Sequence, residues 1–511
     1  MVSMSAKKKY TFKNALVSCS DKTGLVEFLK PLAHDGLRIV STGGTAEHLR
    51  KSGIKVVDVS EQTGFQEVMD GRVKTLHPKI HMALLARADH ADDQEALREY
   101  GIEAFDLVIG NLYPFETSPS VEFIDVGGPS FLRAAAKNYE RITVICDPND
   151  YGRVLENPDR SSLDDRQSFA AKVFAHTSAY DAMIAKHFAG ERELDFRDHG
   201  LGGEHVRALR YGENPQQRAA WFRVRGETAG LHQAQILQGK ELSYNNIVDL
   251  EAAISTVREF VDVPTCVAVK HNSPCGVASE REPSQAVKLA IEADPQSVFG
   301  GIIAVNFSLD RAAAEILSGL FLECIVAPEI TRDAAVILSK KKNLRVLEWP
   351  RLNEKRGSFQ YRSVSGGFLV QTKDVVESEW LNEWRLIGPL PDEKTKRDLL
   401  FAWRACAHLK SNAIAIAENS QTLGLGMGQV NRVDAVEHAI ARMRRFHPGR
   451  AGAVIASDAF FPFTDAIDRI REAGIQFIIQ PGGSVKDEEV IACVNEKGLT
   501  MVLTGRRHFV H

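Results

Sequence analysis

Short runs of aliphatic and β-branched residues alternate with amphipathic segments in the N-terminal part of the chain. Runs that suit buried strands lie at 15–20, 37–42, 56–59, 105–113 and 141–146. Segments with a helical spacing of apolar positions lie at 25–33, 46–51 and 130–137. Strands that alternate with helices are typical of an α/β fold with a largely parallel sheet. We therefore predict an α/β unit that closes near Asp150.

A helical segment and then a polar, glycine-containing segment follow this unit. The spacing of Phe169, Val173, Phe174 and Tyr180 predicts a helix over 167–189. Residues 195–204 show no such period, and 198–203 have the composition of a linker. We predict the main domain boundary there.

The rest of the chain also alternates, which predicts a second α/β body over 207–511. Its candidates for buried strands are 266–269, 301–305, 324–327, 413–417, 453–457 and 477–479. About 300 residues exceed one ordinary core. We therefore predict two subdomains divided near 360–390, although the sequence shows no self-similar period there.

Composition and charge exclude several classes of protein. The 511 residues are 44% hydrophobic and 25% charged, as in ordinary globular proteins. A net charge of −4 provides no basic field for nucleic acid, and no apolar run approaches the roughly 20 residues of a membrane span. The N-terminus lacks a signal-peptide pattern, so we expect a cytoplasmic protein. Seven dispersed cysteines without C-x-x-C spacing disfavour a disulfide framework and structural zinc.

Three N-terminal segments are candidates for anion binding. Residues 37–45 form a predicted strand, a glycine turn and a helix start, which could direct backbone N–H groups at a phosphate. A tight turn without a ligand explains this segment equally well. Residues 72–77 form a cationic loop or a solvated surface run. A second glycine turn in 125–137 precedes a helix that carries Lys137, which we expect to be buried among alanines.

Five blocks in this part of the chain, taken together, resemble one known family. They are 18–24, 42–45, 72–78, 111–115 and 125–138. Their residues and order resemble the cyclohydrolase domain of the bifunctional purine-biosynthesis enzymes that join AICAR transformylase to IMP cyclohydrolase. The resemblance implies a methylglyoxal-synthase-like (MGS-like) core over about 10–150, within an IMP cyclohydrolase domain over 10–200. This domain would close formyl-AICAR to inosine monophosphate with loss of water.

The resemblance also implies roles for single residues. The implied catalytic groups of the cyclohydrolase are Lys74, Tyr113, Asp125 and Lys137. The implied phosphate and ribose ligands are Ser18, Lys22, Gly43, Gly44, Thr45, Arg72 and Thr75.

The C-terminal body places two basic residues, Lys270 and His271, at the end of a predicted strand. Basic groups that leave a buried strand are costly unless they serve a charged ligand, although a lone histidine there is more often structural. The segment is close to a zinc deaminase signature. Ser273 replaces the glutamate of that signature and Ala278 replaces its second cysteine, so catalytic zinc is not expected.

Further blocks extend the resemblance over nearly the whole chain. They are 210–217, 242–246, 299–303, 410–413, 426–432, 457–463 and 504–511. The resemblance implies an AICAR transformylase domain over 201–511, built from two cytidine-deaminase-like α/β subdomains without metal. Its co-substrate would be 10-formyltetrahydrofolate, whose formyl group passes to the 5-amino group of AICAR.

For this second reaction the resemblance implies His271 as proton shuttle, Lys270 as its electrostatic and acid partner and Asn412 as the residue that positions the formyl group. The implied substrate ligands are Arg210, Tyr211, Gly301, Arg432, Phe460, Asp465 and Arg507. It also implies a homodimer with transformylase sites shared across the interface. Two alternatives stay open at this point: a nucleotide sensor with a non-catalytic N-terminal domain, and a metal-dependent deaminase.

Overall fold

A computed structural model describes residues 9–511 except 70, 71, 158, 160, 196, 228 and 355–358. Its contacts divide the chain into two compact units. The first unit runs to Glu204 and includes Phe222–Thr228, and the second contains His205–Trp221 and Ala229–His511. Among the described residues, no helix is long and apolar enough to cross a membrane.

The first unit is built on a five-stranded sheet. Its strands are β1 (Asn14–Ser18), β2 (Arg38–Ser41), β3 (Val57–Asp58), β4 (Leu107–Gly110) and β5 (Thr143–Ile145). Their order is β3-β2-β1-β4-β5, and every neighbouring pair is parallel. The predicted parallel α/β sheet is therefore confirmed.

Eight helices accompany this sheet in the described residues of the first unit. They are α1 (Leu25–His34), α2 (Gly43–Lys51), α3 (Val59–Thr63), α4 (Pro78–Leu85), α5 (Ala91–Glu99), α6 (Gly127–Lys137), α7 (Tyr151–Glu156) and α8 (Leu163–Ala189). The run predicted at 56–59 is interrupted because Asp58 and Glu61 form a capping box that starts α3 at Val59. Along α8, Phe169, Val173 and Tyr180 are buried whereas Phe174 is exposed.

The second unit contains one twelve-stranded mixed sheet. Its strands are β8 (Gln235–Gln238), β9 (Thr265–Lys270), β10 (Ser273–Ser279), β11 (Ile302–Val305), β12 (Cys324–Ala327), β13 (Arg345–Glu348), β16 (Arg385–Ile387), β17 (Ile414–Glu418), β18 (Gln421–Gly426), β19 (Val454–Ser457), β20 (Phe477–Gln480) and β21 (Thr500–Leu503). The pair of β14 (Phe359–Val364) with β15 (Gly367–Thr372) stands outside it. β6 (Gly203–Leu209) and β7 (Ala219–Val224) also form a separate pair, and the boundary between the two units falls within each of these strands.

Eight helices belong to the second unit in its described residues. They are α9 (Tyr244–Val257), α10 (Pro283–Ala293), α11 (Arg311–Ser318), α12 (Arg332–Leu338), α13 (Glu393–Cys406), α14 (Arg432–Phe446), α15 (Asp465–Glu472) and α16 (Asp487–Glu496). Buried apolar side chains form three clusters in this unit.

The large sheet consists of two halves with the same internal order. From the centre outward, one half is β10-β9-β11-β12-β13-β8 and the other is β18-β17-β19-β20-β21-β16. The parallel and antiparallel pairings match step by step, and β10 joins β18 antiparallel at the centre. The structure thus repeats a unit that the sequence does not reveal as a period.

All six predicted strands of this body are present in the large sheet, and the other six strands of that sheet were not predicted. Both central strands contain glycines, which lower the strand signal. A Cβ on Gly276 would lie 2.0 Å from the carbonyl oxygen of Ala290, and one on Gly424 would lie 2.1 Å from that of Ala439. The two glycines therefore let α10 and α14 approach the sheet at equivalent places.

Candidate active sites

The first candidate site lies at the carboxyl ends of β1 and β2, where open parallel sheets commonly bind ligands. The Ser18 hydroxyl lies 3.0 Å from the Thr42 hydroxyl. The Thr45 hydroxyl accepts a hydrogen bond from the Cys19 amide and donates one to the Cys19 carbonyl. These bonds fix the first glycine turn against β1, and α2 begins there at Gly43.

The cationic loop lies directly over this turn. A Cβ on Gly43 would lie 2.9 Å from Lys74 Nζ, so the ammonium group lies close above the turn, and the φ of 36° at this position favours glycine. Lys74 also forms an ion pair with Glu67, with Nζ 2.6 Å from Oε1. A pocket with an empty volume of about 410 Å³ adjoins them, and Thr42 and His77 also line it. A cation beside a helix N-terminus is a suitable environment for a phosphate.

The second glycine turn lies next to the same loop. Asp125 Oδ1 accepts a hydrogen bond of 2.7 Å from the Gly128 amide, and the Tyr113 amide also bonds to this carboxylate. Burial raises the pKa of Asp125, although the two hydrogen bonds oppose that change. A Cβ on Gly127 would lie 2.6 Å from Thr75 Oγ1. The adjacent residues Lys74 and Thr75 thus reach the starts of both α2 and α6.

The other predicted residues of this site lie further out. Lys137 ends α6 and is exposed, so the expectation that it is buried was wrong: the alanines before it face the core and its side chain does not. Ten residues of helix, about 15 Å of rise, separate it from Gly127. Arg72 is exposed and pairs with Glu122, and Lys22 donates to the Ser20 carbonyl.

Tyr180 is a supporting residue for which the sequence predicted only a place in a helix. Its buried hydroxyl accepts a hydrogen bond of 2.9 Å from the Asp125 amide and donates one of 2.9 Å to the Phe123 carbonyl. Helix α8 therefore holds the backbone of Asp125. Glu67 and Glu122 were also not predicted as site residues. No sequence pattern distinguishes a surface glutamate of the site from any other until its cationic partner has been located in the structure.

The second candidate site lies at one edge of the large sheet. His271 and Asn272 form the tight turn between β9 and β10, with φ of 53° and 59°. Asp249 on α9 accepts a hydrogen bond of 2.6 Å from the Asn272 amide, and burial raises the pKa of this aspartate. Lys270 Nζ donates to the Phe299 carbonyl at 2.7 Å. The turn leaves the His271 side chain exposed.

Gly301 is required by a close backbone approach in the same region. A Cβ at this position would lie 2.7 Å from the Val269 carbonyl oxygen. It directly precedes β11, whose first residue, Ile302, pairs with Val269 of β9. Close packing against Val269 thus explains why glycine stands at position 301. The predicted contact of Gly301 with substrate stays a prediction.

A buried polar cluster surrounds Asn412. Arg432 Nη2 donates to Asn412 Oδ1 at 2.6 Å, and Arg432 Nη1 donates to Ser457 Oγ at 2.9 Å and to Asp458 Oδ1. Asp458 is fully buried, and its other carboxylate oxygen accepts from the Ser411 hydroxyl. The terminal nitrogens of Arg432 are thus engaged with protein oxygens, which orients Asn412.

Strand register brings this cluster to the same edge as His271. The N-terminus of β10 lies level with the C-terminus of β18, because Ala278 pairs with Gln421 in an antiparallel ladder. Asn412 precedes β17, and Ile414 pairs with Ser457 at the end of β19. Three strand spacings, or about 14 Å, separate β9 from β17. The two groups therefore face one edge without touching.

The remaining predicted residues are exposed or partly exposed. Arg210 lies 5.6 Å from the ring centre of Tyr211, and Arg507 lies 4.7 Å from that of Phe509. Asp465 begins α15 at the surface, and Phe460 is half-buried. Asp249 and Asp458 were missed as supporting acids. A charged residue directly after the apolar run 453–457 was the available signal for Asp458.

In the described part of the chain, no group of three or more histidine, cysteine or acidic side chains could hold a metal ion. The seven cysteines all lie within that part and are free.

Comparisons with known proteins decide the family. The family described as "AICARFT/IMPCHase bienzyme" matches residues 135–442, and the MGS-like domain matches residues 24–139. The bifunctional purine biosynthesis protein PurH of Persephonella marina is 45% identical, covering 98% of this chain and 100% of that protein. The chain belongs to the AICARFT/IMPCHase bienzyme family.

Other relatives agree with this assignment. The PurH proteins of Caldicellulosiruptor saccharolyticus and Synechococcus elongatus are 46% and 47% identical, over 98% and 97% of this chain and 100% and 99% of theirs. A solved structure titled "Crystal structure of ForH" is 34% identical over 35% of this chain and all of that one, with a TM-score of 0.33.

Membership of the bienzyme family makes this chain a bifunctional enzyme of purine biosynthesis with AICAR transformylase and IMP cyclohydrolase activities. The predicted MGS-like fold of the first unit is confirmed. Of the hypotheses that the sequence left open, the bifunctional enzyme is the one supported, and the nucleotide sensor is not. The assignment of each reaction to residues 10–200 or 201–511, and the division near 360–390, stay predictions.

Proposed function

We propose that the first unit closes formyl-AICAR to inosine monophosphate, and that the edge of the large sheet near His271 transfers the formyl group. The observation that carries this division is the presence of two separate polar clusters, one in each unit. Each cluster lies at strand ends and brings together residues from distant parts of the chain. Two reactions need two such sites.

Ring closure is intramolecular, so the protein must mainly hold a reactive conformer and move protons. The carboxamide nitrogen attacks the formyl carbon, and the resulting carbinol loses water. We assign phosphate and ribose binding to the glycine turn of Gly43, Gly44 and Thr45, with Ser18, Lys22, Arg72 and Thr75 around it. The position of this glycine turn at the N-terminus of α2 supports the binding of a phosphate.

The proposed proton-transfer groups are Lys74, Asp125 and Tyr113. The raised pKa of Asp125 supports a role in proton transfer, because burial favours the protonated carboxyl group. Lys74 is the proposed stabiliser of the developing oxyanion. Lys137 has less support than the others because it ends α6 at the surface.

In the transformylase reaction the attacking group is the 5-amino group of AICAR, a weak nucleophile. We propose that 10-formyltetrahydrofolate donates the formyl group and that His271 removes the amine proton. Lys270 lies beside it, supplies positive charge for the formyl oxygen and donates a proton to the departing nitrogen of tetrahydrofolate. Asn412 contacts the formyl group, and Arg432 acts by orienting Asn412. Arg210, Tyr211, Gly301, Phe460, Asp465 and Arg507 complete the proposed substrate surface.

Three further features belong to this proposal. Neither reaction needs a metal, so EDTA is expected to leave both rates unchanged; loss of activity that added metal restores would contradict this. The protein works as a homodimer, which sedimentation at micromolar concentration tests. Free and largely buried cysteines support a reducing compartment such as the cytoplasm.

A pair of variants tests the two-site assignment. His271→Ala is expected to abolish formyl transfer from 10-formyltetrahydrofolate to AICAR and to leave cyclisation of supplied formyl-AICAR unchanged. Lys74→Ala is expected to do the converse, so that formyl-AICAR accumulates. Lys137→Ala tests the outlying lysine in the same assay.

His438→Gln provides a matched control, because this histidine is exposed on α14 of the second unit. It is expected to leave both activities at the level of the unsubstituted protein. A folded His271→Ala protein that loses both activities would contradict two separate sites.

A further inference from the structure

Residues 504–511 contain one buried histidine that lies between two carboxylates. His508 is only 1% exposed although only three residues follow it in the chain. Its Nδ1 lies 2.6 Å from Asp374 Oδ2, and its Nε2 lies 3.5 Å from Glu377 Oε2. The ring also packs edge-on against Trp403, with centroids 4.9 Å apart. A short segment between β15 and β16 thus supplies two carboxylates to one imidazole.

The backbone of the same C-terminal segment supports the Asn412 cluster. The His508 amide donates to the Asp458 carbonyl at 3.0 Å. The Ser411 amide donates to the Val510 carbonyl at 2.8 Å, and the Val510 amide donates to the Ser411 hydroxyl at 3.2 Å. Ser411 precedes Asn412, and Asp458 binds Arg432. The C-terminal segment therefore contacts both residues that hold Asn412 and Arg432.

We propose that His508 is a positioning residue for formyl transfer: as an imidazolium between Asp374 and Glu377, it fixes the C-terminal segment and thereby the Asn412 and Arg432 side chains. The inference rests on the proposed function of Asn412 in the transformylase reaction. His508 itself does not touch substrate in this scheme.

The charges around His508 favour its protonated form. Burial acts to lower the pKa of His508, but the hydrogen bond that its Nδ1 donates to Asp374 and the charges of Asp374 and Glu377 outweigh it, so the pKa is raised. Burial acts to raise the pKa of Asp374, yet its bond to His508 leaves that pKa lowered. Both changes are those of an ion pair.

Other charged groups near the two carboxylates do not replace the imidazolium. Arg506 Nη1 lies 3.3 Å from Glu377 Oε1, but its side chain is 68% exposed. Arg404 on α13 donates to the Glu377 carbonyl rather than to its carboxylate, and His408 acts on Asp374 only through its charge. Arg432 is the remaining cation of the Asn412 cluster, and it is already paired with Asp458.

The sign of the pH effect follows from the raised pKa. The stabilisation is complete below the ordinary histidine pKa of about 6.5 and is lost as the pH rises through the raised value. Formyl transfer should therefore decline as the pH rises through the raised pKa of His508 and the C-terminal segment loosens. Ring closure in the other unit should not share this decline, which makes it an internal control.

The test uses the full-length protein with His508→Gln, which removes the titrating charge but keeps a hydrogen-bond donor. Asp374→Asn is the second variant. Because the side chain of Asp374 is half-exposed, this substitution should still give a folded protein if His508→Gln prevents folding. His438→Gln is the exposed control. Hydrogen exchange of residues 504–511 and the pH profiles of both activities are measured for each.

Both variants are expected to speed exchange at the amides of His508 and Val510. The kcat of formyl transfer should fall by up to about 100-fold, as misplacement of a reacting group by about 1 Å commonly does. The decline with rising pH should also disappear from the remaining activity. Ring closure and the His438→Gln control should be unchanged.

Two outcomes would overturn the inference. One is unchanged exchange of residues 504–511 in both variants. The other is faster exchange with a normal rate and pH profile of formyl transfer, while Asn412→Ala abolishes that reaction. If Asn412→Ala left formyl transfer intact, the proposed site itself would be wrong, whatever the exchange result for His508.

Discussion

Replacement of Arg432 by methionine tests how the Asn412 cluster is stabilised. Arg432 is 6% exposed and pairs with Asp458, which is 0% exposed. Methionine keeps an aliphatic chain of similar length, so the main loss is the charge and its hydrogen bonds. The Asp458 carboxylate would keep only its bond from the Ser411 hydroxyl, and Asn412 would lose the donor that orients it.

The expected cost follows from these burial values. Removal of one partner from a buried ion pair destabilises a protein by about 3–5 kcal/mol, because the other charge stays buried and uncompensated. Addition of Asp458→Asn removes that charge and leaves neutral polar groups that cost about 1–3 kcal/mol. The double variant should therefore be about 2 kcal/mol more stable than Arg432→Met alone. Both proteins should lack formyl transfer.

The measurement must report on the second unit alone, since a chain of two units need not unfold in one step. Hydrogen exchange at the amides of β17 and β19 gives a local free energy of opening. Arg471→Met, at an exposed position on α15, is the control and should change stability by no more than about 0.5 kcal/mol. A cost below about 1 kcal/mol for Arg432→Met, or a double variant no more stable than the single one, would refute the reasoning.

Further predictions concern packing, thiols and acid stability. Gly424→Ala should destabilise the second unit by about 1–3 kcal/mol in urea unfolding, because the new methyl group meets the Ala439 carbonyl, and an unchanged midpoint would contradict this. Gly152→Ala, with open space around the new Cβ in α7, should instead stabilise the first unit by about 0.5–1 kcal/mol. Burial raises the pKa of every cysteine, so few thiols are ionised at pH 8. Ellman's reagent at this pH should therefore label the native protein slowly, and Cys493 should react first. Rapid labelling of several thiols would contradict the burial of the cysteines. Burial and a neighbouring arginine lower the pKa of His176 to about 4, so stability of the first unit should fall between about pH 6.5 and 4, and His176→Gln should remove that loss.

The sequence predicts strands well where each is a continuous aliphatic run. All five strands of the first sheet and six of the large sheet were identified in this way. The central strands β10 and β18 escaped because Gly276 and Gly424 interrupt their apolar pattern. Those glycines reflect the close approach of helices that lie later in the chain, which no local pattern encodes.

The candidate sites show a similar division. Motifs located the cationic loop, both glycine turns and the Lys270 and His271 pair, because these groups are close together in sequence. Their supporting partners lie far away along the chain, as Tyr180 does from Asp125. A hydrogen bond between such positions depends on how helices pack, so sequence reasoning could not assign it.

By itself, the sequence determined the fold class, the family resemblance and the set of chemically capable residues. All three depend on local periodicity and on short motifs, and both can be recognised in a single amino-acid sequence. Only the tertiary structure decided which of those residues share a site. Strand register places Asn412 at the edge of the sheet that holds His271. Packing leaves the side chain of Lys137 at the surface. His508, near the end of the chain, is buried and pairs with Asp374. Register, burial and charge pairing arise from contacts between distant segments, which exist only after the chain has folded.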